Sequence, residues 1–509
     1  MLWCALHLPD LVLQVFTRAA VDSTPLAILS PRPRQRIVAA GPAAMARGVT
    51  AGLSRAGALA LAPDLHLIEQ DAHLELSALT DIACWAGRFT PSVSLDPPAT
   101  LLLEIQASLR LFGGLAPLCA ALESGLGDLG FSGRMAVAPT PLAARWLARG
   151  APGSRVDGLA LPAALDALPL ATLADEPGLG GDTLELLAGI GARSLADIRR
   201  LPRGGLARRE AQAVTERLDR AYGSSPDPRP WFVPPERYAA RLPLPAPSNQ
   251  VETLLFGVRR LLTGLAGWLD ARQAGLEAFT LVLEFEGLIG ARLGLDREAR
   301  FPIVLGSLSR DMARCQLLVR EHLSRQALPA PVEALRLEAD SPRQLAPSRS
   351  DLFDAKASQA GDPGLLLAIL RARLGNEAVH CMSTRPDHRP EGAWRQAEPP
   401  ASPLGSPRFS CPPSGSLTRS SKSGGAQNTQ PPLKAPRPLW LLPAPRPIAR
   451  PAPEKLLAGP ERIESGWWDG SDGEVCRDYF VACHHDQSLV WIFREGHPPH
   501  GWFLHGYFA

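Results

Sequence analysis

The residues best placed to do chemistry in this chain stand at the ends of short apolar runs. In "LWCALHLPDLVLQVF" (2–16) an apolar strand is halted by Pro9 and a helical run follows, leaving His7 and Asp10 at the junction. In "SLDPPATLLLE" (94–104) Asp96 ends one run, two prolines follow, and Glu104 ends the next. Carboxylates at such strand ends are the ligands that hold Mg²⁺ against a phosphate. Here the pattern is incomplete. The imidazole of His7 and the prolines after Asp96 are not hard anionic oxygen ligands, and Asp10, at the start of a helix, has N-capping as its ordinary role. A third candidate is "LELLAGIGARSLADIRRLP" (184–202), where Gly189 and Gly191 form a tight turn between two helices. Such a turn either offers backbone N–H groups to a phosphate or simply connects helices. The C-terminal stretch holds Cys476, Cys483, His484, His485, His497, His500 and His505. Their spacings match no standard zinc pattern, and no metal site is expected there.

These groups need elements to hold them. The hydrophobic pattern predicts strands at 2–8, 26–30, 36–40, 65–69, 91–95, 100–105 and 133–138, and helices at 10–20, 71–87, 115–128 and 140–149. That is an α+β layer with helices on a sheet. Residues 165–230 read as all-helical. From 236 to 340 the order is strand, helix, two strands, helix, strand, a split βαβ arrangement. Positions 386–460 hold 18 of the 51 prolines, and 401–435 is rich in Ser, Pro and Gly; this part is expected to be a disordered linker. Trp440, Trp467, Trp468, Trp491 and Trp502 then mark a small, aromatic-rich, β-rich module.

Composition narrows the function classes. A chain of 509 residues forms several domains. No apolar run reaches membrane-spanning length, no secretory segment is expected at the N-terminus, and eight cysteines without a CxxC pair give no disulfide framework. A cytoplasmic protein is expected. The net charge is +2, and between Arg385 and Pro460 eleven Lys/Arg face four Asp/Glu, a local +7 that leaves the rest near −5. A protein that grips DNA unaided shows a basic face, so DNA binding is expected to be weak or partner-dependent.

The 2–16 junction, "SLDPPATLLLEIQASLRLFGG" (94–114) and "MAVAPTPLAARWLARG" (135–150), followed by the helical hairpin and the βαββαβ unit, resemble the Y-family translesion DNA polymerases over about residues 1–345. "SLRLFGG" with "GPERIESGWWDG", "RDYFVA" and "WFLHGYFA" is similar to the polymerase-like branch of that family in the bacterial mutasome. The resemblance implies an α+β multidomain chain: a palm and fingers-like domain (1–164), a helical thumb-like domain with a helix-hairpin-helix (165–232) and a little-finger-like domain (233–345). A clamp-binding-type peptide with a helical extension (346–384), the linker (385–435) and a partner-binding module (436–509) would follow.

The resemblance also identifies the positions to compare. Active relatives place an Asp where His7 stands, and an Asp-Glu pair where Asp96 is followed by Pro97. Their triphosphate-binding Tyr and Arg fall at Pro42 and Met45, and a further basic residue at Pro141. Arg47 and Arg145 are nearby cations that either compensate or simply belong to an exposed helical face. "SRSDLFD" (348–354) resembles a sliding-clamp ligand at Asp351, Leu352 and Phe353, with Arg349 and Ser350 in place of the usual Gln-Leu start. The implied function is a non-catalytic scaffold in damage-induced mutagenesis, with no cofactor. It would link the sliding clamp to an error-prone C-family DNA polymerase α subunit and a RecA-like protein. DNA would meet Gly189 and Gly191. The partner polymerase would meet Trp467, Trp468, Tyr479, Phe480, Trp491, Trp502 and Phe503, since Trp and Tyr dominate interface energetics. The alternatives are an active, atypical polymerase using Asp96 with Glu104 or Asp10, and a simple DNA-binding module.

Overall fold

The computed structural model describes the chain except residues 20–23, 34, 175, 177–178, 180, 208–211, 288–295, 326–327, 346–362, 386, 398–436, 453–454, 467, 469–473, 499 and 509. It separates into two units, one spanning Met1–Arg373 and the other formed by the described residues that follow.

The first unit begins with β1 (Trp3–His7) and α1 (Leu11–Thr17). A small sheet follows, in which β2 (Leu26–Leu29) pairs antiparallel with β3 (Ile37–Ala40) and parallel with β4 (His66–Glu69); α2 (Pro42–Met45) and α3 (Arg55–Leu61) lie between β3 and β4. Next come α4 (Ala72–Ala86), β5 (Val93–Asp96), β6 (Thr100–Glu104), α5 (Leu115–Asp128), β7 (Arg134–Ala138) and α6 (Pro141–Gly150). Strands β5, β6, β1 and β7 form one antiparallel sheet in that order. β1 is apolar almost throughout because helices cover both faces. Cys4 and Leu6 pack with Leu79, Ile82, Trp85 and Leu122 of α4 and α5. Trp3 and Ala5 pack with Trp146 and Leu147 of α6. The alternation is the two-residue period of a strand. α4 starts where Asp71 accepts from the His73 and Leu74 N–H groups, and α6 starts at the Thr140 cap with Pro141 in its first turn.

Helices α7 (Leu161–Asp166), α8 (Gly181–Gly189), α9 (Leu195–Arg200), α10 (Arg203–Ala207) and α11 (Gln212–Ala221) share the core on the α6 side. A proline-rich strap, 223–237, returns along the sheet: Trp231 stacks on Trp3 at 5.7 Å, and the Phe232 N–H donates to the Val93 carbonyl at 2.7 Å.

The second sheet contains β8 (Tyr238–Ser248), β9 (Ala274–Phe285), β10 (Glu298–Ser309) and β11 (Val332–Ala339), ordered β10-β9-β11-β8 and antiparallel throughout, with β12 (Arg343–Gln344) added to β9. Its helices are α12 (Val251–Asp270) and α13 (Met312–Arg325). α12 buries Leu254, Leu255, Val258, Leu261, Leu262, Leu265, Trp268 and Leu269 at helical spacing. It also lies against α4. A Cβ on Gly267 would come within 2.7 Å of the Trp85 Cα, and one on Gly87 within 3.2 Å of the Ala271 Cβ, so these glycines let the helices touch. Cys84 of α4 and Ala19 belong to the same core as the second sheet.

In the second unit the hairpin β13 (Cys381–Thr384) and β14 (Trp394–Ala397) precedes five strands: β15 (Trp440–Ile448), β16 (Leu456–Ser465), β17 (Val475–Cys483), β18 (Leu489–Glu495) and β19 (Trp502–Tyr507). Their order is β15-β19-β18-β17-β16. The edge strands carry Pro443, Pro445, Pro447 and Pro460, which remove donors an incoming strand could use.

Candidate functional site

The ends of three strands meet at one corner of the first sheet. In the register His7 lies opposite Thr100, and Thr100 opposite Asp96. His7 follows Trp3 and Ala5 on the face that α6 covers, and its Nδ1 is 3.1 Å from Thr100 Oγ1. Asp10 occupies the N-cap position of α1 and is exposed, but its side chain makes no capping hydrogen bond; its carbonyl takes the Leu13 and Gln14 N–H groups instead. Its reading as a side-chain cap is corrected accordingly. Glu104 pairs with Trp3 at the other end of β6, four residues from Thr100. That is about 13 Å along a strand, whereas paired metals sit about 3.5–4 Å apart. Glu104 therefore cannot join Asp96 in one site.

Asp96 instead faces arginines. Its Oδ2 is 3.0 Å from Arg145 Nη1 and its Oδ1 is 3.4 Å from Arg229 Nη1. Arg145, on α6, has a side chain 4% exposed, and Asp96 one 13% exposed. Arg145 Nη2 also donates to Glu176 Oε2 at 2.9 Å, where Trp146 Nε1 donates at 3.0 Å. Arg217 of α11 reaches Glu176 Oε1 at 3.5 Å, and Arg229 pairs with Asp227 at 2.7 Å. Three guanidiniums balance three carboxylates, the condition under which buried charge is tolerated. One carboxylate, one imidazole and two guanidiniums do not fit a pair of Mg²⁺ ions, which require several oxygen ligands each.

The chain is similar to known proteins along most of its length. Residues 12–149 match the impB/mucB/samB family. Protein ImuB of Caulobacter vibrioides strain NA1000 / CB15N is 28% identical over 498 residues, covering 91% of this chain and 100% of that protein, and the protein of strain ATCC 19089 matches equally. The chain is an ImuB-like, Y-family polymerase-like protein. Among solved structures, DinB from Sulfolobus solfataricus aligns over 68% of this chain and 100% of its own at 17% identity, with a TM-score of 0.38. A Y-family DNA polymerase chimera does so at 16% identity with the same score.

The remaining site residues of the ImuB-like chain fall in several places. Pro42 opens α2, Met45 closes it with an exposed side chain, and Pro141 sits in the first turn of α6. Arg47 is ion-paired with Asp64. Gly189 ends α8, and Gly191 has a φ of 89°, the left-handed geometry of a helix C-terminus. Its N–H donates to the Ala188 carbonyl at 2.9 Å, and those of Arg193 and Ser194 both go to Asp197 Oδ2 at 3.0 Å. The expectation that Gly191 offers its N–H to a phosphate is thus corrected: the helix end already uses it. This hairpin exposes Arg193 and Arg200, together with Glu185 and Arg199. Asp351, Leu352 and Phe353 lie outside the described residues, as does Trp467.

The C-terminal aromatic residues divide into two groups. Tyr479 and Trp491 are each 1% exposed and stack at 3.9 Å, so they are core and no partner can reach them; this corrects their assignment to an interaction face. Tyr479 Oη is 2.8 Å from Nδ1 of buried His505, whose imidazole is held below its usual range by burial. Phe480 packs on Trp502 and Phe503 on Phe493, all but the buried Phe493 partly open. Trp468 is exposed, and so are Leu439, Trp440 and Tyr507, with Trp440 directly across from Tyr507. The sequence reading missed Tyr507, whose place at the chain's last strand gave no local signal. His484, His485 and Asp486 cluster at the exposed β17–β18 turn, where Asp486 also accepts from Ser488 N and Oγ and so ties the turn.

Proposed function

We propose that this chain is a non-catalytic Y-family homologue that works as an adaptor in DNA-damage-induced translesion synthesis and mutagenesis. Residues 1–164 would act as palm and fingers, 165–232 as thumb and 233–345 as little finger. Asp351, Leu352 and Phe353 would dock on the sliding clamp, and 436–509 would recruit an error-prone C-family polymerase (ImuC), with RecA-like ImuA as third member. The setting is cytoplasmic; among the described residues no helix is long and apolar enough to cross a membrane. The observation that carries the reading is the pairing of Asp96 with Arg145 and Arg229, beside His7, where a polymerase needs free carboxylates. The second sheet supports weak DNA binding. Its Arg241, Arg336 and Arg300 are tied to Glu284, Glu298 and Glu338 across four strands, so these cations are already neutralised.

The test uses the purified chain, clamp and candidate polymerase. No primer extension is expected with Mg²⁺ or Mn²⁺. Pull-down of the clamp should be lost in Leu352→Ala/Phe353→Ala, and pull-down of the polymerase in a chain ending at residue 460. Extension that disappears in Asp96→Ala, or both pull-downs persisting in these variants, overturns the reading.

A further inference from the structure

We propose that the arginine–carboxylate cluster at the corner of the first sheet is a latch. It fastens the helical segment and the strap to the sheet by charge, and it keeps divalent cations off Asp96. Each part of the molecule that meets there supplies a member: β5 gives Asp96, α6 gives Arg145 and Trp146, the helical segment gives Glu176 and Arg217, and the strap gives Asp227 and Arg229. Two contacts away from the cluster hold the same parts in place. Phe232 N–H donates to the Val93 carbonyl at the start of β5, the strand that Asp96 ends, and Thr140 Oγ1 donates to the Ala221 carbonyl at 2.7 Å, joining the start of α6 to the end of α11.

The arrangement has a direct electrostatic consequence. Asp96 Oδ1 accepts from both Arg145 and Arg229, and its Oδ2 is ion-paired with Arg145 at 3.0 Å, so an arriving cation meets two fixed positive charges. Arginine suits this role because its planar fork stays charged and reaches two carboxylates at once, as Arg145 does with Asp96 and Glu176. Charge that a metal would supply from solution is thus built into the chain. The result is a fixed joint between sheet, helices and strap. The inference goes beyond the adaptor reading and needs none of its partners.

The test compares the full-length chain with Asp96→Asn, Arg229→Gln and the double variant. The thermal midpoint, chymotrypsin cleavage at Trp231–Phe232 in the strap, and the Mn²⁺ electron paramagnetic resonance signal are measured. The wild-type chain should leave Mn²⁺ free and keep its midpoint on adding it. Asp96→Asn should lower the midpoint and speed strap cleavage by about tenfold, since each 1.4 kcal/mol of lost pairing is a factor of ten in the open population. Arg229→Gln should move both in the same direction by less. The double variant should fall short of the sum, because the two residues share one contact. Asp96-dependent capture of Mn²⁺ by the wild-type chain, or wild-type midpoint and cleavage in Asp96→Asn, overturns the latch. Should Asp96→Asn fail to fold, Arg229→Gln carries the cleavage test, because it removes only the outer arm. Primer extension is no part of this readout: a loose strap on an inactive chain sinks the latch alone, and a tight strap on an active one sinks the adaptor reading alone.

Discussion

Glu176 shows what a buried charge asks of its neighbours. Its side chain is 3% exposed, one oxygen takes Arg145 and Trp146, and the other faces Arg217. Glu176→Gln keeps the shape and removes the charge, leaving Arg145 and Arg217 short of a counterion. Breaking a buried pair from one side costs about 3–5 kcal/mol, so the urea midpoint of this variant should fall steeply, with little change in slope. Nothing near Glu176 in the sequence announces this. Its partners lie 31 residues back and 41 ahead, and Arg229 meets Asp96 across 133 positions. Arg145 stood out in the sequence only as a cation near a degenerate site. His7, Asp96 and Pro97 were legible because a residue's place at a strand end is a local property. Glu104 misled for the same reason: proximity in sequence to Asp96 hid the length of β6 between them.

At the scale of elements, periodicity carried most of the information. The strands of the first sheet follow the hydrophobic pattern to within a few residues. The strand–helix–strand–strand–helix–strand order of 238–339 is as the pattern reads, although its third strand is Glu298–Ser309 and not the apolar run at 290–296. In the last sheet the alternation showed the strands but not which aromatic residues face inward. Both faces of β17 and β18 carry apolar side chains, with Tyr479, Trp491 and Phe493 packed on one and Ala482, Val490 and Ile492 on the other. Burial follows from where neighbouring strands run, and that is decided by pairing between distant segments. His505 gives this sheet a pH dependence. Burial lowers its imidazole in the folded chain, so the unfolded chain binds a proton first as pH falls. Stability is therefore full above the unfolded value of about 6.5 and is lost as pH drops below it. Thermal scans of the full chain should show the transition of this unit shifting down between pH 7 and 5.5. His505→Gln should flatten that shift, and an unchanged slope would exclude His505 as its source.

The whole first unit is held by long-range joints of two kinds, charge at the corner of the first sheet and close packing along α4 and α12. Gly267→Val tests the second. Its side chain would enter the space of the Trp85 backbone, which cannot retreat as a flexible side chain can. Overpacking of this sort costs about 1–3 kcal/mol. The expected result is a lower thermal midpoint with faster proteolysis of 223–237. Gly267→Ala should show a weaker version, and a wild-type profile in both would mean that the helices do not rely on this contact.

The same seam sets a condition on the birth of the protein. The Trp85 side chain is covered by the first sheet and α5, but its backbone is emitted from the ribosome about 180 residues before Gly267, which lies against it. At about 5–20 residues per second the side of α4 that faces α12 stays uncovered for roughly 10–40 s. During that interval the nascent chain is a substrate for chaperones, and its yield depends on how fast its second sheet is made.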